Sequence, residues 1–169
     1  ISDNLTVSLS TTGTVTLTAV GDIGQSAGVG LAGNGPLDVD VDSISATSTT
    51  GGVYLRDSDG LTVTGVGTNS ADAELISDTS ISLTGAITAT TSGDISLSAP
   101  VISLSAGGDI TTDDGDISID AGNAGGLTID DGAVLTTDEG SISGQLINAA
   151  DPFSGTAFTG EPLSDSDRN

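Results

Sequence analysis

The chain has no cysteine, histidine, lysine, methionine or tryptophan, and its aromatic side chains are Tyr54, Phe153 and Phe158. Each absence removes a class of structure or chemistry. Without cysteine there are no disulfides and no thiol chemistry, so bridge content says nothing about the redox compartment. Without histidine, cysteine and lysine, nucleophilic triads, Schiff bases and histidine–metal sites are excluded. Lysine–asparagine isopeptide cross-links are excluded as well, so any fibre built from this chain must hold by strand pairing, burial or cations. With three aromatics in 169 residues, the interior must be made of Val, Ile, Leu and Ala. Positive charge is nearly missing too: Arg56 and Arg168 stand against 24 acidic residues, a net charge of −22. That balance excludes nucleic acid and anionic membrane surfaces as direct partners. It keeps a sheet-rich object soluble and makes it sensitive to ionic strength and divalent cations. No transmembrane run is present. No secretion signal precedes Ile1, and because the chain does not open on Met it is expected to be a processed form or an excised segment.

What is present is alternation. The stretch from Gly93 to Ala121 reads Gly-Asp-Ile-Ser-Leu-Ser-Ala (93–99), Val-Ile-Ser-Leu-Ser-Ala-Gly-Gly-Asp-Ile (101–110) and Gly-Asp-Ile-Ser-Ile-Asp-Ala (115–121). A period of two places Ile95 and Leu97, Ile102 and Leu104, and Ile117 and Ile119 on one face of short strands, with Ser and Asp outward. Strands this short and one-sided are stable only when stacked on copies of themselves. The pattern extends in both directions. Residues 5–9 and 14–18 alternate, and Leu37 to Asp42 places three apolar residues inward and three aspartates outward. Val53 and Leu55, then Leu61 and Val63, form inward pairs around the turn Asp57-Ser58-Asp59-Gly60. Ile76 to Leu83, Ala86 to Ala89, Leu127 and Ile129, Val134 and Leu135, Ile142, and Leu146 and Ile147 continue it. The Gly-, Ala- and Asn-rich residues 25–36 read as a longer loop.

Matching units recur at about twenty residues, as from Gly93-Asp94-Ile95 to Gly115-Asp116-Ile117. No segment carries a 3.6-residue period with capping signals. The fold expected is all-β: a right-handed parallel β-helix of seven or eight coils over residues 1–150, followed by a C-terminal cap, inter-subunit segment or tail over 151–169. An antiparallel sandwich ranks second, because the strand joints lack regular Asn-Gly or Asp-Gly hairpin turns. The last stretch holds Phe153 and Phe158, Pro152 and Pro162, and a polar tail. A solenoid end exposes backbone and core, so the two phenylalanines are expected to plug that end or to meet a neighbouring subunit.

The phrases Gly-Thr-Val-Thr-Leu-Thr-Ala-Val-Gly-Asp-Ile-Gly (13–24), Gly-Gly-Val-Tyr-Leu-Arg-Asp-Ser-Asp-Gly-Leu-Thr-Val (51–63) and Gly-Asp-Ile-Ser-Leu-Ser-Ala (93–99) resemble the repeats of filamentous-haemagglutinin-like proteins and related autotransporter passengers. The resemblance spans roughly residues 1–148 and rests on repeats, not on a fixed site. It implies a β-helix, export across a bacterial envelope, and an extracellular role as stalk, adhesin or fibre. The chain departs from that family in its length and in lacking the amino-terminal secretion domain, which implies a fragment or a subunit that polymerises. Partners implied are further copies of itself, end to end, and cell-surface glycans or matrix.

No catalytic residues are expected. Asp113, Asp114 and Asp116 are the carboxylates available to a polysaccharide-cleaving site, but no tryptophan and one tyrosine leave nothing to stack sugars. Calcium suits oxygen-only acidic turns better. The candidate ligands are Asp57 and Asp59, Asp113, Asp114 and Asp116, and Asp130 and Asp131, with Asp138 and Glu139 one short turn on. None forms an EF-hand loop, and the Gly-Gly-x-Gly-x-Asp nonapeptide is absent. Two readings stay open for these acids: cation ligands that relieve repulsion between stacked turns, or solvated turn formers. A Ca²⁺-dependent carbohydrate-binding or carbohydrate-cleaving β-helix is therefore the alternative to a structural, non-enzymatic role. Arg56 is expected to pair with the adjacent Asp57, and Asn4-Leu5-Thr6 is the single glycosylation sequon. The threonines, Thr14, Thr16 and Thr18 among them, do not recur at one place in each coil, which argues against an ice-binding ladder.

Overall fold

The computed structural model describes residues 9–26, 35–146 and 158–159. In chain order the strands are β1 (Leu9–Ala19), β2 (Leu37–Ser48), β3 (Val53–Asp57) and β4 (Leu61–Asn69). Next come β5 (Ala73–Ser77), β6 (Ser80–Leu83), β7 (Ile87–Thr90) and β8 (Ile95–Leu104). Then follow β9 (Ile110–Thr112), β10 (Ile117–Ile129), β11 (Leu135–Thr136), β12 (Ile142–Leu146) and β13 (Phe158–Thr159). No helix occurs among the described residues, and every pairing between these strands is parallel.

Three ladders run side by side. In the first, Val53, Ala73, Ile95, Ile117 and Ile142 are successive register partners through β3, β5, β8, β10 and β12. In the second, Leu61, Ile81, Ile102 and Leu127 follow one another through β4, β6, β8 and β10. In the third, Leu17, Ala46, Val66, Ile87, Ile110, Leu135 and Phe158 align through β1, β2, β4, β7, β9, β11 and β13. The chain visits each ladder in turn and returns one layer further on. This is a β-solenoid, with about five turns between the corner at Asp22 and the corner at Ser141 and strands of partial turns beyond them. The antiparallel sandwich is set aside by the parallel pairing, and the expected seven or eight coils are too many. From Asp22 through Gly52, Asp72, Asp94 and Asp116 to Ser141, equivalent corner residues lie 30, 20, 22, 22 and 25 positions apart, so dividing the whole chain by twenty overcounts.

The six residues singled out in the central stretch, Ile95, Leu97, Ile102, Leu104, Ile117 and Ile119, are all buried. Each buried aliphatic side chain of this size contributes about 1.5–3 kcal/mol, and the layers fuse them into one continuous core. Two inward assignments shift by a residue. Leu75, not Ile76, faces the core, and Ile76 lies half-buried on the outer row between Arg56 and Ser98. Val134 is likewise half-buried while its neighbours Ala133 and Leu135 point in. The loop expected at 25–36 leaves the first ladder and returns to it: Gln25 N–H donates to the Gly35 carbonyl at 2.9 Å, and residues 27–34 lie outside the described set.

The Gly-Asp-Ile phrases at 21–23, 93–95 and 115–117 mark one corner, where each residue has a separate task, while the copy at 108–110 enters the third ladder. Ile95 and Ile117 point into the core. A Cβ at Gly115 would run into the Gly93 carbonyl, and one at Gly93 into the Ala71 carbonyl. The layers therefore approach so closely here that no side chain fits. The aspartate bonds forward to the next layer: Asp72 Oδ1 accepts from Asp94 N–H at 3.0 Å, Asp94 Oδ1 from Asp116 N–H at 2.9 Å, and Asp116 Oδ1 from Ser141 N–H at 2.8 Å. Asp22 does the same for Gly52 N–H at 2.8 Å. These carboxylates serve backbone donors at the corner with charge-assisted bonds.

A hydroxyl three residues before the corner glycine closes the same turn from within. Thr112 Oγ1 donates to the Gly93 carbonyl of the previous layer at 2.8 Å and accepts from Gly115 N–H at 3.2 Å. Thr137 repeats this with Gly115 (2.9 Å) and Gly140 (3.0 Å), and Ser48 with Gly21 (2.9 Å) and Gly51 (2.9 Å). All three are buried. The signature is Ser/Thr-x-x-Gly. Where buried Ala89 takes the hydroxyl's place, the turn to Gly93 is one residue longer.

Candidate functional site

The candidate acids divide sharply by environment. Asp57 ends β3 pointing inward and is fully buried, against the expectation that turn aspartates face water. Its Oδ1 accepts from the N–H of Asp59 at 2.9 Å and of Gly60 at 2.6 Å, which folds Asp57-Ser58-Asp59-Gly60 into a tight turn. One layer on, Ser77 aligns with Asp57 and caps its own turn the same way, accepting from Thr79 N–H at 3.3 Å and Ser80 N–H at 3.2 Å. The difference between these two layers is chemical. A hydroxyl is neutral, whereas the second oxygen of Asp57, Oδ2, is buried with no hydrogen-bond partner among the described residues.

Asp59 lies on the outside of that turn, within hydrogen-bonding reach of the Asp57 carboxyl. This contact, and then the negative charge of Asp57, raise the Asp59 pKa above its ordinary value; slight desolvation and the charge of Asp40 add to it. Arg56 does not supply the compensating charge. Its guanidinium reaches Asp78 at 3.1 and 3.2 Å, one layer further along. The expected Arg56–Asp57 pair is thus replaced by Arg56–Asp78, because successive residues of a strand point to opposite faces.

The other acids are placed differently. Asp113 Oδ2 accepts from Thr91 N–H at 3.0 Å. Thr91 has φ 69°, a left-handed value costly for a β-branched residue, and the bond from the next layer helps hold it. Asp116 is committed to Ser141, whose hydroxyl also donates to Asp116 Oδ1 at 2.9 Å. Asp114 is exposed, and its N–H donates to the Thr91 carbonyl at 2.8 Å. Asp130 and Asp131 are exposed, as are Asp138 and Glu139. Among the described residues, no three acidic side chains gather closely enough to hold a metal ion between them. Phe153 falls outside the described residues, and Phe158 enters through its backbone, which pairs with Leu135.

Two features were not anticipated. The first is Tyr54, whose ring lies over Gly52, so that a Cβ at Gly52 would run into the ring. It fills the gap that Gly52 leaves between Asp22 and Asp72 in the corner column. Burial, followed by the charges of Asp72, Asp22 and Glu74, raises its pKa above 10.0. The second is a column of threonines on the outer row of the third ladder. Thr18, Thr47, Gly67, Thr88, Thr111, Thr136 and Thr159 are successive register partners. Threonine therefore does recur at one place in the coil, contrary to the expectation from the sequence, with Gly67 as the single interruption. Unequal coil lengths hide the recurrence in the linear sequence; the register reveals it.

No family model matches the chain, and no curated protein or solved structure matches it.

Proposed function

We propose that the chain is an extracellular structural protein, a β-solenoid segment of a bacterial adhesin or surface fibre, which extends by stacking head to tail. The observation that supports this reading most is the one-dimensional repetition of the core. Layer after layer offers the next short aliphatic rows and the same backbone hydrogen bond at the corner, from Ile23, Val53, Ala73, Ile95 and Ile117 N–H to the layer that follows, and β1 has no strand on its outer side among the described residues. Leu9, Val15, Leu17 and Ala19 in that end layer are only partly buried. A second copy laid against β1 would pair its free edge and cover those side chains, an open contact that propagates instead of closing. Self-association is tested by sedimentation velocity across protein concentration, with electron microscopy of the pellet. Rods that lengthen with concentration support the reading; a monomer at every concentration refutes it.

The threonine column favours a second reading, adsorption to ice. Thr18, Thr47, Thr88, Thr111 and Thr136 repeat a hydroxyl and a methyl group at the layer spacing of about 4.8 Å on a sheet face, a periodicity suited to a surface that is itself a lattice. A thermal-hysteresis measurement decides it. A freezing-point gap that disappears in Thr111→Asp supports ice adsorption, and no gap in the unaltered chain removes it.

A further inference from the structure

The turn at Asp57 leaves a charge problem that the described residues do not solve among themselves. Asp57 is buried, two backbone N–H groups hold its Oδ1, and Oδ2 has no donor among the described residues. The Asp59 carboxyl lies beside it, and Asp40 adds negative charge from the neighbouring layer. The sequence contains no lysine or histidine; of its two arginines, Arg56 is engaged with Asp78 and Arg168 lies outside the described residues. A buried oxygen of this kind is costly unless a donor or a cation meets it.

We infer that the Asp57-Ser58-Asp59-Gly60 turn binds one divalent cation of the calcium type, held by Asp57 Oδ2 and the Asp59 carboxylate. The donor set is all oxygen, as a hard cation requires. Asp57 is preorganised by the two N–H bonds to its other oxygen, so binding orders only the Asp59 side chain. With two carboxylates from the protein and water completing the shell, the site belongs to the weak class of extracellular calcium modules, with Kd on the order of 10⁻⁴–10⁻³ M. Asp113, Asp114, Asp116, Asp130 and Asp131 lack the feature that distinguishes this turn. Their layers show no buried carboxylate oxygen without a partner. This inference is independent of head-to-tail assembly, since the turn lies within one coil.

The experiment is calorimetric titration of CaCl₂ alone into the full chain, stripped of metal by chelation, with thermal unfolding followed in parallel. Asp59→Asn and Asp57→Asn are compared with Asp120→Asn, which removes the same charge from an exposed outer row. The expected result is a saturable 1:1 event, on top of weak diffuse binding, in the unaltered chain and in Asp120→Asn. That event and its accompanying rise in Tm are lost in Asp59→Asn, whose exposed side chain leaves folding intact. Absence of a saturable event in the unaltered chain, or its persistence in Asp59→Asn, overturns the inference. So does stabilisation by acid with no response to calcium, which would assign the shared position to a proton.

Discussion

Gly115 stands where the backbone of one layer presses on the carbonyl of the layer beneath, and Gly67 stands where nothing presses at all. The two glycines should therefore respond oppositely to substitution. Gly115→Ala drives a methyl into the Gly93 carbonyl and is expected to cost about 2–3 kcal/mol. Gly67→Thr places its Cβ in ordinary contact with Thr47, 3.7 Å from Cγ2, at a φ outside the left-handed region, and completes the threonine column. It should stabilise by about 0.5–1 kcal/mol. Urea unfolding of the two variants measures both. Tyr54 predicts a pH effect. Its raised pKa means that the unfolded chain ionises first, so stability is intact below about pH 10 and falls as the pH rises through the folded value. Tyr54→Phe should flatten that alkaline loss in a series of thermal melts. At this scale the sequence was legible where period two applied without exception, as at Ile95, Leu97, Ile117 and Ile119. It misleads at Asp57, where the period of two puts an aspartate on the inner face against the general preference of charge for water. The same alternation turns Arg56 outward, toward Asp78.

The strands are short, and their corners hold them as firmly as their cores. Thr112→Val keeps the shape of the side chain but strands Gly115 N–H and the Gly93 carbonyl in a buried corner. A loss of about 1–3 kcal/mol follows. Leu97→Ala opens a cavity in the middle layer and should cost about 2–5 kcal/mol. Denaturant midpoints rank the two, and a neutral Thr112→Val would remove the corner from the stability argument. The Gly-Asp-Ile phrase was recognisable in the sequence, yet only as a turn. Its aspartates read as solvated because the N–H groups they accept from lie one coil away, 22 positions along the chain for Asp72 and Asp94. Contacts at that separation have no signature in a local window.

Over the whole molecule, 24 carboxylates are set against two arginines, and in the described coils nearly all the acids lie outside a narrow aliphatic core. Mutual repulsion follows, screened over about 30 Å in 0.01 M salt and about 8 Å at 0.15 M. Tm should therefore rise with NaCl concentration; a Tm independent of salt would mean that the outward charges are already neutralised. The parallel solenoid itself was legible, since alternation, glycine corners and same-sense repeats point one way. The number of turns was not, because coil length varies with each corner and with the excursion after Gln25. The threonine column was hidden for the same reason.

The stacking of parallel coils in one register is the claim on which everything else stands, and a chain without cysteine allows a clean test. Ser96 and Ser118 are register partners on adjacent layers, and Ser143 partners Ser118 on the layer after. Neighbouring strands sit about 4.8 Å apart, within the span of a disulfide, and alternate layers lie beyond it. Ser96→Cys with Ser118→Cys should oxidise to an intramolecular disulfide in the folded protein, while Ser96→Cys with Ser143→Cys should stay reduced at the same dilution. Failure of the first pair, or equal bridging by the second, would contradict the stacked solenoid.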